Sequence, residues 1–142
     1  MKIKILFLCT GNSSRSQIAE GWCRYLKSKE IEAYSAGIEK HGLNPLAVAV
    51  MAEVGVDISK QRSKTTDELP VSEFDWVITL CDHANETCPH FHGRKKHVGF
   101  DDPTRLSRTM PVIDKRAVYR RVRDEIRRFV ESLPGALEPE PY

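Results

Sequence analysis

The alternation of strand-like and helix-like patterns constrains this chain most. Residues 2–8, containing Ile3-Lys4-Ile5-Leu6-Phe7-Leu8, read as a buried strand. Residues 16–28 read as a helix, with Ile18, Trp22 and Leu26 four apart on one face. A short strand follows at 32–35, ending near Gly37. Asn44 then caps a helix that has Pro45 at its first position and stops at Gly55. "DWVITL" marks a third strand over 73–80, 81–92 is less regular, and "KKHVGF" at 95–100 is a fourth strand. A long helix spans 111–133, with Val118, Val122, Ile126 and Phe129/Val130 inward. Such alternation predicts one α/β domain over 1–133, a four-stranded parallel sheet flanked by helices, with 134–142 as a flexible Pro-rich tail. In such sheets sites lie beyond the carboxyl ends of the strands. Cys9, Cys81 and Asp101-Asp102 each follow a predicted strand, so one sheet edge should gather them.

Composition narrows the function. The net charge of +2 within 30% charged residues gives no pull toward nucleic acid or a membrane surface. No apolar run approaches the roughly 20 residues of a membrane span. The start, Met1-Lys2-Ile3-Lys4, leads into a short apolar run without a cleavage-site pattern, so the expectation is a soluble cytoplasmic protein. In that compartment the four cysteines, at 9, 23, 81 and 88, point to catalysis, redox exchange or metal binding before a structural framework.

The stretch "CTGNSSRSQ" joins the first strand to the first helix. A turn feeding a helix N-terminus aims successive N–H groups into one small space, an anion nest helped by the helix dipole. Gly11 permits a tight backbone path, and Ser13, Ser14 and Ser16 are small enough to leave room. Arg15 supplies a planar fork for a tetrahedral oxyanion. Cys9 stands at the mouth, where the positive field favours its thiolate.

This loop resembles the phosphate loop, C-x5-R-S, of the low-molecular-weight protein tyrosine phosphatase superfamily. The resemblance implies Cys9 as nucleophile, Arg15 as oxyanion clamp and Ser16 as a donor to the thiolate. Asn12 would brace the loop, and 10–16 (Thr10, Gly11, Asn12, Ser13, Ser14, Arg15, Ser16) would hold the anion. A departing oxygen needs a proton. "GFDDP" offers two carboxylates, and the family's Asp-Pro acid maps onto Asp102, with Asp101 as second choice.

A phosphatase needs one cysteine, yet "LCDHANETCPHFH" brings Cys81 and Cys88. If Cys9 attacks arsenate, Cys81 can attack Cys9 and expel arsenite, and Cys88 can then move the disulfide to Cys81–Cys88 by thiol–disulfide exchange. "CTGNSSRSQIAEGW", "YSAGIEKHGLNP", "DISKQRS", "TLCDHANETCP", "GFDDP" and "RVRDEI" together are similar to thioredoxin-coupled arsenate reductases, from about residue 3 to about residue 130. That resemblance implies the Cys9–Cys81–Cys88 relay and reduced thioredoxin as electron donor. It also implies a short helix around 81–88 that loosens as the disulfide shifts, a monomer, and no metal or organic cofactor. Arsenate would be the substrate, with phosphate and sulfate as competing oxyanions.

Two departures stand out. Some members carry a further cysteine where this chain has Ser14; that thiol is outside the relay, so no loss of activity is expected. Some hold potassium with an Asn, a Glu, a Ser and an Asp; the first three map to Asn12, Glu20 and Ser35, but the fourth is Lys64, whose ammonium could replace the cation.

Other readings compete. A phosphomonoester phosphatase would use the same loop and acid but has no use for Cys81 and Cys88. A redox sensor would have no use for the Asp-Pro acid. Cys81, Cys88, His90 and His92 invite zinc, but at a non-standard spacing. Cys23, beside Trp22, reads as packing. "KRAVYRRVRDEIRR" reads as a solvated helix face laced with Asp124, Glu125 and Glu131, or as part of a docking face for an acidic partner. Arg94-Lys95-Lys96 reads as an oxyanion-steering patch or an exposed loop.

Overall fold

The structure, a computed structural model, describes residues 2–88 and 92–137, with the backbone alone at Thr87 and His92. Four strands form one parallel sheet in the order β2-β1-β3-β4: β1 Ile3–Cys9, β2 Ile31–Gly37, β3 Glu73–Thr79 and β4 His92–His97. Among the described residues, five α-helices accompany it: α1 Arg15–Leu26, α2 Pro45–Ala52, α3 Asp82–Thr87, α4 Pro103–Ser107 and α5 Val112–Glu131. The expected α/β fold is therefore present.

Burial explains why β1 is so apolar. It is an inner strand covered on both faces, so Ile5, Leu6, Phe7 and Leu8 are all fully buried and the run need not alternate. The chain leaves β1 for one neighbour, β2, and later places β3 on its other side. A crevice opens where the order reverses, at the carboxyl ends of β1 and β3, and such crevices take ligands.

α1 and α5 pack together, with the Trp22 indole N–H donating to Arg123 O at 3.0 Å. The inner row of α5 is Tyr119, Val122, Ile126 and Val130. Tyr119 replaces the expected Val118, which is only half-buried, because its hydroxyl can reach Thr104 Oγ1 at 2.7 Å and accept from Asn44 Nδ2 at 3.0 Å. The arginine-rich face of α5 is paired as its charges predict, Arg121 with Glu125 and Arg127 with Glu131. Arg123 departs from that face: it is buried and donates to Val50 O at 2.9 Å and to Glu53 at 3.1 Å, docking α5 on α2.

Three expectations shift. β4 lies at 92–97, not 95–100, because backbone pairing to β3 holds this charged edge strand, whose sequence HGRKKH has no apolar pattern. Arg94–Lys96 thus lie in a strand, not a loop. The segment "VGF" continues past it, with Val98 N–H donating to Thr79 O and Phe100 N–H to Leu80 O. The sequence reading has no helix at 103–107, yet Asp102 Oδ1 accepts from Thr104 N at 3.1 Å and caps five helical residues, α4. Beyond residue 133 the chain forms a further 3-10 turn at Gly135–Leu137, with Leu137 buried; the rest of the expected tail lies outside the described residues.

Candidate active site

The loop between β1 and α1 is held by its carbonyls. Cys9 O accepts from Ile38 N (3.1 Å), Thr10 O from Glu39 N (2.8 Å), Gly11 O from His41 N (2.9 Å) and Ser13 O from Asn44 N (3.1 Å). Asn12 O accepts from Gln17 Nε2 at 3.0 Å, and Ser14 O from Ile18 N at 2.8 Å. Six consecutive carbonyls are thus drawn outward. The amides of Gly11 to Ser16 find no acceptor among the described residues and converge at the start of α1. That is an anion nest.

The one left-handed residue in the loop is Asn12, at φ 49°, not glycine. Its side chain makes the strain tolerable. Oδ1 accepts from Lys64 N (2.9 Å) and Gln17 Nε2 (2.9 Å), which fixes the amide's orientation. Nδ2 then donates to Ser16 Oγ at 2.7 Å and to Ser35 Oγ at 3.1 Å. Gly11 is needed for space instead: a Cβ there would stand 2.3 Å from His41 Nδ1.

These contacts set a direction for every proton. Glu20, a carboxylate, can only accept, so the Ser35 hydroxyl donates to it at 2.5 Å. Ser16 Oγ already accepts from Asn12, so its own O–H is left for Cys9 Sγ, 2.9 Å away. The network therefore presents a donor to the sulfur, the arrangement a thiolate wants. Asn12, Ser16, Gln17, Glu20 and Ser35 are all buried, so the polarity is protected from water.

Arg15 heads α1 with its guanidinium nearly buried. It donates to Phe100 O at 3.1 Å and lies 3.6 Å from Asp102 Oδ2. Asp101 instead pairs with Arg121 at 3.1 Å, so Asp102 is the carboxylate turned to the loop. Ser14 Oγ is buried with no partner among the described residues.

Two cavities meet here. One, of about 420 Å³, is lined by Cys9, Gly11, Ser13, Ser14, His41 and Arg108 among others. The second, of about 590 Å³, includes Cys81, His83, Phe100 and Leu106. Thr10, Arg15 and Asp102 line both. Cys81 N-caps α3, its sulfur accepting from Ala84 N at 3.4 Å, and it lies 3.2 Å from Thr10 Oγ1. Cys88 sits at the far end of α3, half-buried, its thiol pushed up by burial and partly offset by Lys95. None of the four cysteines is in a disulfide. Cys23 is fully buried, and burial raises its pKa to about 12, which suits packing.

Sequence reasoning missed Gln17, His41 and Ser63, which tie the loop from outside; Ser63 Oγ donates to Gly11 O at 3.0 Å. The one local signal was Gln17, an amide inside an apolar helical stripe. Of the suggested zinc ligands, His90 and the His92 side chain lie outside the described residues.

The model of the family described as low molecular weight phosphotyrosine protein phosphatase matches residues 4–140. The chain is 52% identical over 124 residues to an arsenate reductase of Bacillus subtilis (strain 168), spanning 86% of this chain and 88% of that protein. It is 50% identical over 130 residues to an arsenate reductase of Halalkalibacterium halodurans, spanning 90% of this chain and 92% of that one. Among solved structures, an arsenate reductase in the phosphate binding state matches with a TM-score of 0.79 at 33% identity, over 97% of this chain and 100% of that one. With the family model matching residues 4–140 and relatives at about half identity over most of both chains, the chain belongs to the low molecular weight phosphotyrosine protein phosphatase family.

Proposed function

We propose that the protein is an arsenate reductase that passes oxidation along Cys9, Cys81 and Cys88 to reduced thioredoxin. The observation that carries this reading is the 3.2 Å contact between Thr10 Oγ1 and Cys81 Sγ. A second thiol stands beside the loop that Cys9 heads, and a phosphatase has no use for it.

In this reading the loop amides and Arg15 bind the arsenate oxygens, as they would bind competing phosphate or sulfate. The Cys9 thiolate, held by the Ser16 hydroxyl, attacks As(V). Asp102 supplies the proton on the oxygen that leaves as water. The Cys81 thiolate then attacks Cys9 Sγ. The S–As bond breaks toward arsenic, As(V) becomes As(III), arsenite departs, and a Cys9–Cys81 disulfide remains. The Cys88 thiolate attacks Cys81 Sγ and releases the Cys9 thiolate. The electron balance needs two thiols oxidised per arsenate and no metal or organic cofactor. A single chain carries every group involved, consistent with a monomer. Among the described residues no helix is long and apolar enough to cross a membrane.

Geometry adds a requirement. Cys81 and Cys88 bracket α3, and seven residues of helix rise about 10 Å. A disulfide needs Cα atoms about 4.4–6.8 Å apart. The helix must therefore unwind for the second disulfide to close.

The test is arsenate-dependent NADPH oxidation with thioredoxin and thioredoxin reductase. Native protein should turn over and Cys88→Ser should not. The family match supports a second activity, hydrolysis of phosphomonoesters through Cys9 and Asp102. Brisk hydrolysis of p-nitrophenyl phosphate without arsenate-dependent turnover would make that the function.

A further inference from the structure

Among the described residues most large apolar side chains are buried; a few are not, and four of these lie within eight residues. Leu106 is 46% exposed, Met110 38%, Val112 62% and Ile113 80%. They run from the end of α4 through the turn into the first turn of α5. The fold does not need them: α5 buries its other face, starting at Tyr119. Tyr119 is also where α5 joins the site wall, through Thr104. Val112 precedes it by seven residues, so the helix carries these side chains about 10 Å farther out. An apolar patch beside a cleft, formed by residues the core does not use, marks an interaction surface.

We propose that Leu106, Met110, Val112 and Ile113 form the docking surface for the reduced protein dithiol that regenerates the enzyme. The proposal rests on the relay described above. Leu106 lines the same cleft as Cys81, Asp82 and His83. A protein whose thiolate comes down over α3 must therefore lie against the α4–α5 turn opposite. A small thiol would enter the cleft without touching it. Charge narrows the partner further. Arg105 and Arg108 are exposed beside the patch and line the two cavities, while the neighbouring Asp101 is paired with Arg121. The exposed Asp114 adjoins Ile113 on the far side, so the basic part of the rim is the cleft side, at Arg105 and Arg108. The surface fits a partner with apolar contacts around its cysteine and carboxylates toward the cleft. On that surface the partner's thiolate attacks one sulfur of the Cys81–Cys88 disulfide and the other leaves as thiolate. The partner's second thiolate then attacks its first sulfur, expels the enzyme's cysteine as thiolate, and the partner departs with its own disulfide. Two electrons and two protons pass to Cys81 and Cys88.

The experiment measures KM for thioredoxin in Ile113→Glu and Met110→Ala, with Tyr25→Glu as control. Tyr25 is an exposed aromatic on α1, at 58%, a value between those of the two tested residues. The expected result is a KM about tenfold higher or more in Ile113→Glu, a smaller rise in Met110→Ala, and none in Tyr25→Glu. The first turnover without reductant, one arsenite per protein, should be unchanged in all three, as should turnover supported by dithiothreitol. A normal first turnover with native KM in Ile113→Glu and Met110→Ala would overturn the docking surface alone. So would a native dimer by sedimentation that Ile113→Glu dissociates, since the patch would then belong to a second copy of the chain. No arsenite from the native protein in the first turnover would overturn the relay and this proposal together.

Discussion

Asn12 sets the direction of the hydrogen-bond chain that ends on Cys9. Without its amide, Ser16 and Ser35 lose their common donor and the left-handed turn loses its side-chain support. Asn12→Ala should therefore lower the rate of the first turnover about a hundredfold, on the scale of a lost preorganised donor, and lower stability by about 1–3 kcal/mol. Rapid-quench arsenite release and urea denaturation measure the two effects. Native-like release from a folded variant would show that the chain does not orient Ser16. Lys64 poses a second question at this scale. Its ammonium lies 4.0 Å from the buried Glu20 and donates to Arg62 O at 2.8 Å, and burial pulls its pKa below the usual lysine range against the pull of Glu20. Arg24 also reaches Glu20, at 3.0 Å. We propose that these fixed charges balance Glu20, so activity should be equal in potassium and sodium at matched ionic strength. A clear rise in potassium would contradict this. The sequence singled out Cys9 and Arg15 through their strand–loop–helix setting, and Ser16 and Asp102 through the family resemblance; the structure gathers all four at one loop. Gln17, His41 and Ser63 were not legible, because they act by touching backbone groups that only the fold brings near.

Among the elements, α3 carries the conformational claim. It has six residues, DHANET, of mostly modest helix propensity. A few contacts hold it: His97 to Asp82 Oδ1 at 3.1 Å, Lys95 Nζ to Asn85 O at 2.8 Å, and buried Ala84. Hydrogen exchange over 82–88 should rise after one turnover with arsenate, while α1 stays protected; unchanged protection would argue against unwinding. α5 offers a pH test. Arg120 grips Glu53 with two bonds of 2.8 Å and Arg123 adds a third, which holds the carboxyl down to about 2 from an ordinary 4.5. The stabilisation is complete above about pH 4.5 and is lost as pH falls toward 2. Because the carboxylate is 31% exposed, it amounts to about 1–2 kcal/mol. Urea midpoints at pH 7 and pH 3 should converge in Glu53→Gln relative to native protein. The misplaced β4 and the unforeseen α4 share a cause. Their local sequences have too few apolar residues to show a period, so pairing with β3 and an Asp cap decide their limits.

At the scale of the molecule, the sheet order brings the parts together. Cys9 ends β1, Cys81 follows β3 and Asp102 follows β4, so three distant stretches meet at one edge of a sheet ordered β2-β1-β3-β4. The alternation of elements revealed that edge before any coordinate did, because position beyond a strand's carboxyl end is a property of topology. It could not reveal that Thr10, Arg15 and Asp102 form a shared sill between two cavities. The central claim is that oxidation moves from the Cys9 loop to the ends of α3. The most direct measurement is to give the reduced protein one equivalent of arsenate without reductant, quench with acid, alkylate, and map the cysteines by mass spectrometry. The account predicts one arsenite released, a Cys81–Cys88 disulfide, and Cys9 and Cys23 alkylated as thiols. Arsenite released with Cys88 still a thiol, or all four cysteines alkylated with arsenate intact, would contradict it.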